Sequence, residues 1–286
     1  MGASSDFALP EERWPTTLPA VHRETLRSIL RGLARRREIV GVAAGGSFAT
    51  GAMDDFSDLD LVVVVDPAAR DRISAERVAL AAELGPLLAA FTGEHVGEPR
   101  LLICLYGPPP IHVDLKFVTP DDLERRIEDP VVLWERDGAV TAALARGTPS
   151  YPPPDRQWIE DRFWVWIHYA SGKIGRGELF EALDLLGFLR SRVLGPLALE
   201  EADTRPNGVR RVETDAPRRA ASLREAVAAH DGPDIVRALR AAAALYRDLR
   251  GARGSARLVH RTDAERAAMA DLDAVARRLG EDSSKR

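Results

Sequence analysis

The residues in this sequence whose types and spacing could do chemistry are two aspartates that follow a glycine-serine turn. Gly45, Gly46 and Ser47 end one apolar run, and Asp58 and Asp60 open the next. Side chains two residues apart on a β-strand project from the same face. Two such carboxylates repel each other unless a cation lies between them, and Mg²⁺ binds through one or two carboxylates together with substrate phosphates. The spacing therefore predicts a magnesium site.

The turn itself predicts a phosphate site. Gly45 and Gly46 have no side chains, so their backbone N–H groups can approach a phosphate closely, and the Ser47 hydroxyl can add one more donor. Ser47 could instead cap a short helix after the turn, and the same exposed N–H groups would serve both roles. Gly46 and Ser47 are the predicted phosphate-binding residues.

A third acid lies on a later predicted strand. Alternation along residues 111–118 puts His112, Asp114 and Lys116 on one face. If this strand neighbours Asp58 and Asp60, Asp114 completes a three-carboxylate site, as a ligand of a second metal, as the base, or as both. The alternative for Asp114 is a plain surface position. His112 is predicted to be a strand-surface residue and not a ligand.

A second pair of aspartates in the same chain serves as a control. Asp271 and Asp273 repeat the spacing inside a helical pattern. Two positions along a helix turn through about 200°, so these carboxylates point apart and cannot share an ion. Spacing indicates a metal site only where it falls on a strand.

Apolar runs and helical periodicity indicate the elements that must position these residues. The predicted strands cover residues 39–44, 59–65, 100–106 and 111–118. The predicted helices cover residues 21–37, 70–91, 155–171 and 178–194, with two or three more between 216 and 279. The pattern thus changes from mixed to helical along the chain.

The boundary between these two patterns is a proline-rich linker at residues 149–154, which can form neither a helix nor a central strand. Residues 1–19 contain three prolines and no periodicity, and they are predicted to be a loose leader. The predicted domains are therefore an α/β catalytic domain over residues 20–150 and a helical domain over residues 155–286.

Composition excludes several classes of partner. The net charge of −4 over 286 residues gives no global positive field that would attract nucleic acid, and it suits a small or cationic co-substrate better. The single Cys104 excludes an internal disulfide and a thiolate metal cage. The apolar runs are too short to span a bilayer, and the N-terminus shows no signal pattern, so no membrane partner and a cytoplasmic location are expected.

The glycine-serine turn, the run from Ser57 to Leu61 that contains both aspartates, and the later Asp114 together resemble the DNA polymerase beta-like nucleotidyltransferase superfamily. Within that superfamily they look most like the bacterial aminoglycoside and lincosamide adenylyltransferases. The resemblance covers about residues 20–120. It implies an α+β fold, in which a small mixed-sheet nucleotidyltransferase domain is followed by an all-helical C-terminal domain that closes over ATP and a hydroxylated acceptor.

The resemblance also implies roles for individual residues. Asp58 and Asp60 would bind Mg²⁺, Gly46 and Ser47 would bind the triphosphate of ATP, and Asp114 would be a third ligand or the base. Some relatives place the base on a separate glutamate, for which Glu135 and Glu178 are the candidates. Relatives commonly bring a basic residue from the second domain to the triphosphate, and Lys173 and Arg176, in a glycine-rich turn, are the candidates.

The function expected from this resemblance is magnesium-dependent transfer of AMP from ATP to a hydroxyl of a small molecule. An aminoglycoside-like antibiotic is one such acceptor, and antibiotic resistance would then be the role. One alternative is the transfer of AMP to a protein, as in antitoxin-type members of the superfamily. Another is a non-catalytic partner-binding or RNA-acting helical module, because the spacing of Arg162 and His168 is near that of a HEPN-type ribonuclease motif, although Phe163 replaces a polar residue there.

Overall fold

The computed structural model describes residues 11–251 and 258–283. The chain divides into two compact units, the first ending at Tyr151 and the second beginning at Pro152. Residues 1–10 of the predicted leader lie outside the described residues. The rest of that segment contains a short 3-10 helix, Glu11–Arg13, and its Trp14 and Leu18 are buried in the core of the first unit.

The first unit is built on a mixed sheet of six strands in the order β3-β4-β5-β2-β1-β6. Its elements are α1 (Ala20–Ala34), β1 (Ile39–Ala44), α2 (Gly46–Ala49), β2 (Leu59–Val65), α3 (Arg70–Leu84), β3 (Leu87–Gly93), β4 (Glu98–Tyr106), β5 (Ile111–Val118), β6 (Val131–Glu135) and α4 (Ala139–Leu144). β2 and β5 pair in parallel, and the other four neighbouring pairs are antiparallel. The predicted α+β fold with a small mixed sheet is confirmed.

One predicted helix is too long. The periodicity predicts a helix over residues 70–91, but α3 ends at Leu84 and β3 begins at Leu87. Gly85 has an extended backbone, and Pro86 has no N–H to continue the helix and restricts the residue before it. Beyond this break, pairing with β4 supplies the backbone hydrogen bonds that alanine-rich residues would otherwise find in a helix.

The two faces of the sheet are covered differently. Alternate residues of β2, such as Leu61 and Val63, belong to a large core that also includes buried side chains of α1 and α3. On the opposite face, Val64 of β2 and Val118 of β5 pack with Val140 of α4 in a much smaller core. Strand alternation puts Asp60 and Asp114 on this second face. The smaller core covers the carboxyl-terminal end of that face and leaves the acidic end open.

The second unit is helical throughout its described residues. Its α-helices are α5 (Arg156–Gly175), α6 (Leu179–Leu189), α7 (Gly195–Glu201), α8 (Val212–Asp215), α9 (Pro217–Glu225), α10 (Gly232–Arg250) and α11 (Thr262–Ser283), with a π-helical turn at Arg190–Leu194. The Asp155 side chain caps α5 by accepting a hydrogen bond from the Trp158 N–H. This unit confirms the predicted all-helical C-terminal part. Across the described residues, every helix is too short or too polar to cross a bilayer.

Candidate active site

The parallel pairing of β2 with β5 brings the predicted acids together. In this register Asp60 lies opposite Asp114, and Leu59 lies opposite Val113. Neighbouring strands are about 4.8 Å apart, so side chains opposite each other on one face are in contact range. Asp58 immediately precedes β2. The strand of Asp114 therefore lies beside the strand that carries Asp60, as the prediction of a three-carboxylate site requires.

Asp58, His112 and Asp114 form a cluster that we call the trio. Each contributes one potential ligand atom, and these atoms all lie within 4.8 Å of one another. The Nε2 atom of His112 is 2.9 Å from Oδ1 of Asp114. Both aspartates are half-buried, whereas the imidazole is half exposed. Two carboxylates and an imidazole are a donor set that suits a divalent cation. His112 is exposed, as predicted for a strand-surface residue. Strand alternation alone did not predict that it would lie beside Asp58.

Asp60 is held against the glycine turn. The N–H of Gly45 donates to the backbone carbonyl of Asp60 at 2.9 Å, which ties the end of β1 to the start of β2. Gly46 has a φ of +56°, and a Cβ built on it would lie 2.0 Å from Oδ2 of Asp60. Only a residue without a side chain allows this approach. The turn and the acid pair are therefore one local structure.

The predicted phosphate-binding groups of the turn have protein partners. The Gly46 N–H donates to Oε1 of Glu128 at 3.1 Å, so a carboxylate already lies where a phosphate oxygen is expected. The Ser47 hydroxyl donates to the Met53 sulfur at 2.9 Å, which is a weak acceptor. Sequence reasoning missed Glu128, because it follows Gly46 by 82 residues and belongs to no motif.

An open cleft of about 460 Å³ lies on the acidic face of the sheet. Its charged lining consists of Asp60, Glu98, Arg100, Asp114, Lys116, Asp122, Arg125, Arg126 and Glu128. Carboxylates and cations are nearly equal in number, so this cleft is mixed in charge. A ligand that carries both phosphates and cationic groups would find partners for each.

The cations of the cleft are organised around Glu98. Arg100 donates to both carboxylate oxygens of Glu98, at 2.7 and 2.8 Å, and to Asp122 at 3.0 Å. Lys116 contacts the same glutamate at 2.7 Å. The hydrogen bond from Arg100, and then that from Lys116, lower the pKa of Glu98 to about 2. Strand alternation in the sequence places Lys116 on the same face as Asp114. This alternation is the sequence feature that could have indicated the cluster around Glu98.

The two glutamates considered as separate bases have other partners. Glu135, on β6, accepts a hydrogen bond from the Thr141 N–H at 2.8 Å and another from the Thr141 hydroxyl. Glu178 binds Lys173 and Arg176, each at 2.6 Å, and these contacts lower its pKa to about 2. A carboxylate with so low a pKa is a weak proton acceptor at neutral pH. The phosphate-binding role of the two cations stays a prediction.

Comparison with known proteins gives one family. Residues 26–92, from within α1 to β3, match the model described as nucleotidyltransferase domain. No curated protein sequence matches the chain. The chain resembles the solved structure of an aminoglycoside 6-adenyltransferase from Bacillus subtilis, with 13% identity, 88% of this chain and 97% of the other covered, and a TM-score of 0.40. It also resembles a nucleotidyltransferase-like protein from Exiguobacterium sibiricum 255-15, with 15% identity, 79% and 74% covered, and a TM-score of 0.34. At these TM-scores the two likenesses say nothing of a substrate.

A mixed sheet that puts a glycine turn and strand aspartates beside one cleft has the layout of an enzyme that transfers phosphorus-containing groups. The matched residues include that turn, Asp58 and Asp60. Residues 26–92 thus form a nucleotidyltransferase domain, and the protein is a nucleotidyltransferase enzyme. This domain supports catalysis and argues against the non-catalytic alternative. In the helical unit, His168 contacts Asp271 at 3.2 Å, and Arg162 lies over the Trp158 ring.

Proposed function

We propose that this enzyme transfers AMP from ATP to a hydroxyl group of a small molecule, with Mg²⁺ or a similar divalent ion bound by Asp58, Asp60 and Asp114. The observation that carries the proposal is the parallel register of β2 and β5, which sets Asp60 beside Asp114 directly behind the Gly46 turn. Three carboxylates, two from adjacent strands and one from the residue before β2, would leave the rest of the coordination sphere to water and phosphate oxygens.

The chemistry asked of these residues is limited. A bound divalent ion would neutralise the charge of the triphosphate. A bond forms between the acceptor oxygen and the α-phosphorus of ATP, while the bond from that phosphorus to the pyrophosphate oxygen breaks and pyrophosphate leaves. The hydroxyl proton goes to Asp114. A carboxylate has two oxygens, so one can face the ion while the other accepts this proton.

Binding of the nucleotide is assigned to the turn and to the cleft. The N–H of Gly46 and the hydroxyl of Ser47 donate to phosphate oxygens once Glu128 has left the Gly46 N–H. Arg100 and Lys116 supply positive charge within the same cleft, and Glu98 fixes the positions of both side chains. Arginine and lysine side chains are suitable donors to phosphate oxygens.

For the acceptor, the proposal is a small hydroxylated molecule that carries amino groups, of which an aminoglycoside-like antibiotic is the leading example. The carboxylates of the cleft, such as Asp122 and Glu128, offer acceptors for ammonium groups. Resistance to such an antibiotic would then be the biological role, exercised in the cytoplasm where ATP is present.

The test is transfer of label from ATP labelled at the α-phosphate, in the presence of Mg²⁺, to a panel of aminoglycosides, lincosamides and other hydroxylated amines. Wild type and the control Asp55→Asn, an exposed acid of the same loop, should transfer label at equal rates. Asp58→Asn and Asp60→Asn should lower the rate at least about 100-fold, because each weakens the metal site.

Each result of this experiment bears on a different part of the proposal. Equal rates for wild type, Asp58→Asn and Asp60→Asn would refute the catalytic assignment. Label that appears only on a co-purifying protein would refute the small-molecule acceptor and support protein AMPylation, with the same residues still required.

A further inference from the structure

We propose that His112 is a ligand of the active-site cation, and that the site therefore binds Mn²⁺ more tightly than an all-carboxylate site would, relative to Mg²⁺. This inference rests on the proposed function, since it concerns the ion that serves the transfer. It assigns to His112 a role that neither the glycine turn nor the aspartate motif requires.

The register of the sheet brings His112 to the ion position. Leu59 of β2 lies opposite Val113 of β5, and one residue before this pair are Asp58 and His112. Alternation directs both of these side chains to the face that carries Asp114. The trio thus contains one candidate ligand from the loop that enters β2 and two from β5.

The distances agree with coordination. Around an octahedral ion with ligands at about 2.1 Å, adjacent ligand atoms are about 3.0 Å apart and opposite ones about 4.2 Å apart. The candidate atoms of Asp58, His112 and Asp114 all lie within 4.8 Å of one another, and His112 Nε2 is 2.9 Å from Asp114 Oδ1. The spacing of the three candidate ligand atoms is therefore close to that around one octahedral ion.

The donor set determines the preferred ion. Mg²⁺ favours oxygen ligands and retains several waters. An imidazole nitrogen suits transition metals better, and carboxylates are good ligands for Mn²⁺ as well as for Mg²⁺. An imidazole nitrogen added to the carboxylates of this site should therefore shift its selectivity towards Mn²⁺. Replacing the imidazole should reduce Mn²⁺ affinity more than Mg²⁺ affinity.

The competing explanation is that His112 only hydrogen-bonds Asp114 at the surface. The contact at 2.9 Å, with the imidazole half exposed, would by itself contribute at most a weak surface interaction. His112→Gln separates the two explanations. A glutamine amide can still donate to the Asp114 carboxylate, but it offers no imidazole nitrogen to a metal.

The experiment measures Mn²⁺ binding to the whole protein without nucleotide, by electron paramagnetic resonance of the free ion, and Mg²⁺ binding by competition. Wild type is compared with His112→Gln, Asp58→Asn and His95→Gln. His95 is a matched control, because it is an exposed histidine of the same unit whose ring is tilted against that of Phe91, with ring centroids 5.6 Å apart.

We expect His112→Gln to weaken Mn²⁺ binding at least about tenfold, the effect expected for disturbing a metal's coordination, while Mg²⁺ affinity changes by no more than about twofold. His95→Gln should bind both ions like wild type, and Asp58→Asn should weaken both. Unchanged Mn²⁺ affinity in His112→Gln, with Asp58→Asn still weakened, would overturn the role of His112 and leave the proposed function standing. Unchanged binding in both variants would overturn the metal site itself.

Discussion

Replacing Gly46 by alanine should remove activity while leaving the protein folded. The φ of Gly46 is +56°, where a side chain is strained, and its new Cβ would lie 2.0 Å from Oδ2 of Asp60. An ordinary contact begins at 3.4 Å, so the carboxylate must move by at least 1.4 Å or the turn must distort. A displacement of about 1 Å in a catalytic group can cost about 100-fold in rate. We therefore expect kcat/KM to fall at least about 100-fold.

The chain offers a matched control for the backbone strain. Gly51, just after α2, has a φ of +68°, but a Cβ there would meet nothing within 4 Å. Both Gly46→Ala and Gly51→Ala should lower the free energy of unfolding by about 1–2 kcal/mol, the cost of a left-handed backbone for a residue with a Cβ. Only Gly46→Ala adds the collision with Asp60. The difference in activity between the two variants therefore isolates the displacement of that carboxylate.

The assay combines urea denaturation with single-turnover transfer from labelled ATP. Urea denaturation shows that both variants fold, and the transfer rate is then compared at the same folded concentration. If Gly46→Ala retains a rate within about threefold of Gly51→Ala, the close approach of Gly46 to Asp60 is not required for catalysis, and our account of the turn is wrong.

Three further predictions concern affinity, reactivity and pH. Glu128→Ala should tighten MgATP binding about fivefold, measured by calorimetry. In wild type, ATP must first displace Glu128 from the Gly46 N–H, which costs about 1 kcal/mol. Equal or weaker binding by the variant would contradict this. Burial raises the pKa of the Cys104 thiol to about 12, so a thiol reagent at pH 8 should label unfolded but not native protein, and rapid native labelling would contradict its burial. Glu98, whose pKa is lowered to about 2 chiefly by Arg100, should stabilise the fold above about pH 4.5 and lose that contribution as pH falls towards 2. The stability difference between wild type and Glu98→Gln should accordingly shrink over that range in acid denaturation, and a constant difference would refute the assignment.

The strands that carry the acids could be predicted because their signals are local. β1, β2 and β5 have the predicted bounds, since runs of β-branched and apolar residues between glycine or proline breaks indicate strands regardless of their partners. β3 and β6 were not predicted. The residues of β3 continue the pattern that predicts a helix, β6 is only five residues long, and each strand is fixed by pairing with a neighbour at an edge of the sheet.

The amino-acid sequence by itself determined the glycine-serine turn, the pair Asp58 and Asp60, and the change from a mixed to a helical pattern, because each depends on residues close together in the chain. Tertiary structure alone decided that β5 lies parallel beside β2, so that Asp114 and His112 join Asp58. It also decided that Glu128 binds the Gly46 N–H. These contacts join distant segments, and their partners are selected by packing and sheet register, which a local pattern does not specify.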